Sequence, residues 1–165
     1  DLEWHEEGEL MVKGPQVMKG YFDNEDATKH TIRDDGWMHT GDIGKFDDRG
    51  HLYITDRCKE LIKYNGFQVP PAELEGIIGA MEKVGDVIVI PVLDESAGEL
   101  PRAYVVKHPE LGADLTEQEV MDVVESKVVH YKKLRGGVRF VESVPKSASG
   151  KLLRRVMVQM DRGQM

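Results

Sequence analysis

Hydrophobic periodicity changes character at the polar run Asp56-Arg57-Cys58-Lys59, so no single repeating pattern can organise the whole chain. Before that run, alternating stretches such as Glu9-Leu10-Met11-Val12-Lys13 and His51-Leu52-Tyr53-Ile54 read as strands. They are punctuated by the turn signals Asp34-Asp35-Gly36 and Asp47-Asp48-Arg49-Gly50, with one short helix expected over 25–32. After the run, helical and strand patterns mix. Proline at a first helical turn forfeits no hydrogen bond, so Pro70-Pro71 opens a helix whose apolar stripe is Leu74, Ile77, Ile78 and Met81. Strands over 84–93 and 102–108 are joined across Asp94-Glu95-Ser96-Ala97-Gly98, which predicts an antiparallel hairpin. Thr116-Glu117-Gln118-Glu119 matches a capping box, in which threonine and glutamate satisfy each other's backbone donors, and Val120, Val124 and Val128 continue one apolar face. A strand-like run covers 138–141, and the chain closes on a helix with Leu153, Val156, Met157 and Met160 on one stripe. The expected class is α+β. Residues 1–56 form a β-rich segment, 57–59 an exposed connection, and 60–165 a small domain of antiparallel sheet and flanking helices.

With 165 residues, 40% of them apolar, the chain can build one modest core without crosslinks. Cys58 is the only cysteine, so neither an internal disulfide nor a Cys-based metal site can be assembled, which agrees with a reducing, cytoplasmic home. Gly163-Gln164-Met165 is not the Ser-Lys-Leu type of peroxisomal ending, and a peroxisomal address would need residues beyond it. No apolar run approaches bilayer length and no charged-then-apolar signal opens the sequence, so no membrane span is expected. A formal charge of -8 argues against nucleic acid as a partner. Basic residues nevertheless cluster at Lys132, Lys133, Arg135, Arg139, Lys151, Arg154 and Arg155, a patch suited either to solvation or to the phosphates of a coenzyme. The six histidines show no pair at helical metal spacing, and no Gly-x-Ser-x-Gly elbow is present, so no metal site and no covalent nucleophile are assigned.

Chemistry concentrates in three segments. Pro145-Lys146-Ser147-Ala148-Ser149-Gly150-Lys151-Leu152 is a glycine-hinged loop presenting a lysine. It is not a phosphate-cradling P-loop, which needs Gly where Pro145 stands and Ser or Thr where Leu152 stands. The second segment runs Ile54-Thr55-Asp56-Arg57-Cys58-Lys59-Glu60-Leu61-Ile62-Lys63-Tyr64-Asn65-Gly66-Phe67-Gln68-Val69-Pro70-Pro71-Ala72-Glu73-Leu74-Glu75. The third is Gly36-Trp37-Met38-His39-Thr40-Gly41-Asp42. Each residue also has an ordinary account: Asp42 as a turn-capping aspartate, Arg57 as a surface ion-pair partner, Asn65-Gly66 as the turn of a β-hairpin.

Taken in order, the three segments resemble the adenylate-forming enzymes: acyl- and aryl-CoA synthetases, firefly luciferase and peptide-synthetase adenylation domains. The wording from Lys59 to Glu75 is most similar to the branch of 4-coumarate-CoA ligases and luciferase. Only the C-terminal third of such an enzyme is matched, because the Ser/Thr/Gly-rich phosphate loop and the acyl-pocket wall of the large N-terminal domain are not in this sequence. Asn65 departs from the basic residue often found there in that branch, which removes an ionic contact to the coenzyme.

The resemblance implies that residues 1–56 end the N-terminal AMP-binding domain and that 60–165 are the C-terminal domain, joined by a hinge at 57–59 containing Lys59. It implies ATP, with Mg2+ carried by the nucleotide, and coenzyme A as cofactors, and a small-molecule carboxylic acid and the large N-terminal domain as partners. Lys151 matches the adenylation lysine and Asp42 the carboxylate on the ribose hydroxyls. Arg57 matches a second ribose contact, Lys63 and Gln68 residues that approach the adenylate in a second domain arrangement, and Gly66 a lining of the pantetheine channel. A fragment of this kind is expected to be inactive alone. Two alternatives stand: a non-catalytic interaction or regulatory module that keeps the fold, and, among enzymes, a luciferase-like or peptide-synthetase adenylation domain.

Overall fold

The computed structural model describes residues 2–163, apart from the Asp56 side chain. Packing divides the chain into two compact units, Asp1–Lys59 and Glu60–Met165.

The first unit is a three-stranded antiparallel sheet in the order β1-β2-β3, built from β1 (Gly8–Val12), β2 (Met38–Phe46) and β3 (Leu52–Arg57), with helix α1 (Glu25–Thr31) between β1 and β2. Helix α1 starts where expected because the Asn24 side chain accepts the free amide of Ala27 at 2.9 Å. The exposed connection expected at 57–59 is shorter than predicted. Asp56 and Arg57 are the last rungs of β3, opposite Ile43 and Asp42, because nine-residue β2 offers them backbone partners that outweigh side-chain polarity. Among the described residues, every buried apolar side chain of the core belongs to the second unit; the first presents Trp4, Phe22, Tyr53 and Ile54 at its surface.

The second unit carries β4 (Ile62–Tyr64), β5 (Phe67–Val69), α2 (Pro71–Gly79), β6 (Val84–Asp94), β7 (Gly98–Lys107), α3 (Glu117–Glu125), β8 (Val138–Phe140) and α4 (Arg154–Asp161). Its sheet runs β5-β4-β7-β6, all antiparallel, and β8 adds to β7 in parallel, the one departure from the antiparallel sheet expected. Strand β6 is buried on both faces, which is why Val-Ile-Val-Ile reads as a continuous apolar run. Its Val87 and Val89 meet Leu74 and Ile78 of α2 and Val120 and Val124 of α3. Its Ile88 and Ile90 meet Met157 of α4. Met81 and Val128 lie just beyond the ends of α2 and α3 yet still pack on that core.

Two local expectations are corrected. Only half of the capping box forms: Thr116 Oγ1 accepts the Glu119 amide at 3.2 Å, but the Glu119 carboxylate turns to the Lys83 ammonium, 3.2 Å away. The inward stripe of α4 is also shifted. The residues facing the sheet are Arg154, Met157, Val158 and Asp161, while Leu153 and Met160 are exposed. Two of those four positions carry charges that acquire partners on folding, so hydrophobicity alone misplaces the face.

Asp161 shows how such a charge is accommodated. It accepts from Arg102 Nη1 at 2.7 Å and from the Tyr104 hydroxyl. Burial works to raise its carboxyl, but the hydrogen bonds from Tyr104 and Arg102 outweigh burial and hold it below the ordinary 3.8. A depressed folded-state value contributes stability above the unfolded value, and that contribution is lost as pH falls through the folded one. Asp161→Asn is expected to cost about 1–3 kcal/mol at neutral pH. Urea unfolding at pH 7 and pH 3 checks this: the gap between the two proteins narrows in acid, and an unchanged gap contradicts the account.

Candidate functional site

The first cluster is built by an irregularity in β2. Glu9 pairs with Ile43 and Met11 with His39, so Thr40, Gly41 and Asp42 together oppose Leu10 alone. Such a bulge needs a left-handed residue, and Gly41 supplies it at φ 75°. Side chains brace the bulge from beneath. Thr40 Oγ1 donates to the Leu10 carbonyl at 2.8 Å and accepts the Asp42 amide at 3.1 Å. The Glu9 carboxylate accepts the Gly41 amide at 3.2 Å and hydrogen-bonds His39 Nδ1 at 2.9 Å. Asp42, expected in a tight turn, therefore sits on a strand bulge. Its cross-strand partner is Arg57, whose Nε–H donates to Asp42 Oδ1 at 2.9 Å. The carboxylate is mostly covered while the guanidinium reaches solvent, 29% against 65% exposed. An ion pair this open contributes little to stability, so its value lies in orienting both groups. Lys59, also exposed, ends the first unit.

The second cluster is the β4–β5 hairpin. Asn65 at φ 47° and Gly66 at φ 81° form its two-residue turn, and both left-handed torsions match the right-handed twist of the flanking strands. A side chain built at Gly66 would meet open space, so the glycine serves the backbone torsion and leaves the surface before it clear. Lys63 and Gln68 are direct cross-strand partners and share the solvent face, because Ile62 and Val69 fill the opposite one. Phe67 stacks on Tyr131 with ring centroids 4.5 Å apart, anchoring the hairpin's far side.

Lys151 occupies a third place. Its loop is closed by a bridge between Lys146 and Leu152, by Ser147 N–H to the Lys151 carbonyl at 2.9 Å, and by the Lys151 amide to Ser147 Oγ at 3.1 Å. Gly150 turns the backbone at φ 81°. The backbone of the loop is tied down while the Lys151 side chain is exposed. Lys83, Lys132, Lys133 and Lys146 each meet a carboxylate; among the described residues Lys151 meets none. The structure thus brings Asp42 to Arg57 and Lys63 to Gln68, and leaves Lys151 on its own loop.

Residues 73–151 match the AMP-binding enzyme C-terminal domain. A 4-coumarate--CoA ligase-like protein of Oryza sativa subsp. japonica is 54% identical over 92% of this chain and 25% of its own length. The luciferin 4-monooxygenase of Luciola mingrelica is 53% identical over 88% and 26%. The crystal structure of ATP-bound MatB from Rhodopseudomonas palustris superposes with a TM-score of 0.88 at 36% identity, covering 96% of this chain and 31% of that one. The chain carries an adenylate-forming C-terminal domain. It spans about a quarter of the length of the curated relatives it matches.

In this domain three of the seven basic residues clustered in the sequence are paired with carboxylates. Lys132 pairs with Glu73 and Lys133 with Glu125. Arg154 is taken into the interior, where Glu60, Glu75 and the Val89 carbonyl consume its donors, so it is not a phosphate receptor. Partners elsewhere in the chain occupy these three members of the cluster. Sequence reasoning gave Glu9 and Thr40 no supporting role, because their contacts around Asp42 depend on the register of β1 against β2. Burial, with Glu9 and Asp42 nearby, pushes the Cys58 thiol up and so favours its protonated form. Among the described residues no helix is long and apolar enough to cross a membrane and no group of three or more metal-ligating side chains converges.

Proposed function

We propose that this chain is the swivelling part of an ATP-dependent acyl- or aryl-CoA ligase. In the first half-reaction a carboxylate oxygen of the substrate attacks the α-phosphorus of ATP and pyrophosphate leaves. In the second, the thiol sulfur of coenzyme A attacks the acyl carbon, AMP leaves, and the thiol proton passes to solvent. The first step must bring two anions together, and Lys151 is the cation placed between them. At about 4 Å and an effective dielectric near 20, one such charge pair contributes roughly 4 kcal/mol.

Asp42 accepts the ribose hydroxyls, with Arg57 holding it and supplying a second ribose contact. Lys63 and Gln68 approach the adenylate in the second arrangement, and the clear surface before Gly66 admits pantetheine. Residues 57–59, Lys59 above all, absorb the torsional change between the two arrangements. Mg2+ arrives with the ATP. The observation that carries the reading is the exposed Lys151 ammonium, without an acidic partner among the described residues, on a loop whose own backbone is fastened.

The lack of buried apolar side chains among the described residues of the first unit supports dependence on a larger N-terminal domain that also holds the acid pocket. The 165-residue chain by itself is therefore expected to show no ATP–pyrophosphate exchange across a panel of aliphatic and aromatic carboxylic acids, whereas the full-length polypeptide does. Turnover by the isolated chain would refute the division of labour.

A further inference from the structure

Arg154 opens α4 three residues after Lys151, and Glu60 is the first residue of the second unit, directly after Lys59. The two side chains meet: Arg154 Nε donates to Glu60 Oε2 at 3.0 Å. The guanidinium fork does more than pair. Nη1 donates to the Val89 carbonyl at 2.8 Å and to Glu75, whose Oε1 accepts the Val89 amide at 2.7 Å. Strand β6 is the edge of its sheet, so Arg154 and Glu75 serve Val89 as the missing neighbouring strand would. The Arg154 side chain is only 13% exposed and that of Glu60 is 38%.

The Lys151 loop is thus held at both ends. Lys146 Nζ lies 2.5 Å from Asp86 at the start of β6, and the Leu153 amide donates to the Pro145 carbonyl at 2.9 Å. Arg154 then ties the loop's exit to β6, α2 and Glu60 together. Only the last of these tethers leads to the chain entering from residues 57–59.

We propose that Arg154 and Glu60 are a positioning pair: they fix the Lys151 loop to the residue that leaves the 57–59 segment, so that a swivel there carries the lysine as a rigid arm. The proposal rests on the reading of Lys151 given above. A purely structural ion pair would affect stability alone, whereas this one must affect the loop and the reaction step that uses it.

Glu60→Ala tests it without leaving Glu75 unpaired, and Glu60→Gln, which keeps an acceptor oxygen, is the conservative rescue. In the 165-residue chain, Glu60→Ala is expected to speed hydrogen exchange of the Gly150 and Lys151 amides about tenfold while Val120 and Val124 are unchanged. In the full-length protein it is expected to lower kcat for ATP–pyrophosphate exchange about tenfold with KM for ATP within about twofold, and Glu60→Gln to restore most of both. Unmoved loop amides overturn the pair whatever Lys151 does. Faster loop amides with unchanged kcat overturn it where Lys151→Ala is inactive. Retained activity in Lys151→Ala overturns the assignment of the lysine itself, and with it the catalytic part of the pair's role.

Discussion

Lys151→Ala in the full-length protein is expected to lower acyl-adenylate formation by about 10²–10³-fold, the usual consequence of removing one preorganised group aimed at developing charge. Its thermal unfolding should stay within a degree or two, because the side chain is exposed and has no partner among the described residues to lose. Thioester formation from presynthesised acyl-adenylate should change little, since Lys151 acts where two anions must meet and that encounter has already taken place. ATP–pyrophosphate exchange and single-turnover thioester formation separate the two half-reactions. Unchanged adenylate synthesis together with loss of a protein partner would instead favour a regulatory module that has kept the fold.

Arg154→Met is expected to give the largest loss of stability of any single change considered, about 3–5 kcal/mol, because it removes one partner of a buried ion pair. Glu75 has a side chain 13% exposed and faces Arg154 across the interior. Methionine would fill the volume but would leave the Val89 carbonyl unpaired as well. The desolvation of Arg154 works to lower its guanidinium value, and its bonds to Glu75 and Glu60 more than reverse that, so it stays charged at any working pH. Combining Arg154→Met with Glu75→Gln should recover part of the loss, since the amide can still accept from the Val89 amide without a buried charge. Urea midpoints of the three proteins measure this. A cost for Arg154→Met below about 1 kcal/mol, typical of an exposed pair, would show that the network is decorative.

What could be read beforehand was local. Asn65-Gly66 demands left-handed torsions that suit only one kind of hairpin turn, and the hairpin is there. Pro70-Pro71 opens a helix for a reason contained within one turn of chain. The candidate residues were legible as ordered segments, and two pairs among them proved to be cross-strand neighbours, Asp42 with Arg57 and Lys63 with Gln68. Nothing in the sequence announced the bulge that carries Asp42, because it depends on how β1 and β2 register and on a carboxylate 32 residues from the amide it holds.

By itself the sequence determined where the pattern of elements changes, which stretches become strands or helices, and which loop presents a lysine. All of these follow from torsional preference and short-range periodicity among neighbouring residues. Tertiary structure alone decided which charges face inward. Arg154 lies 94 residues from Glu60 and 79 from Glu75, and Asp161 lies 59 from Arg102. A buried charge is tolerated only when its partner is brought alongside it, and that juxtaposition exists only once the sheet and helix α4 have assembled.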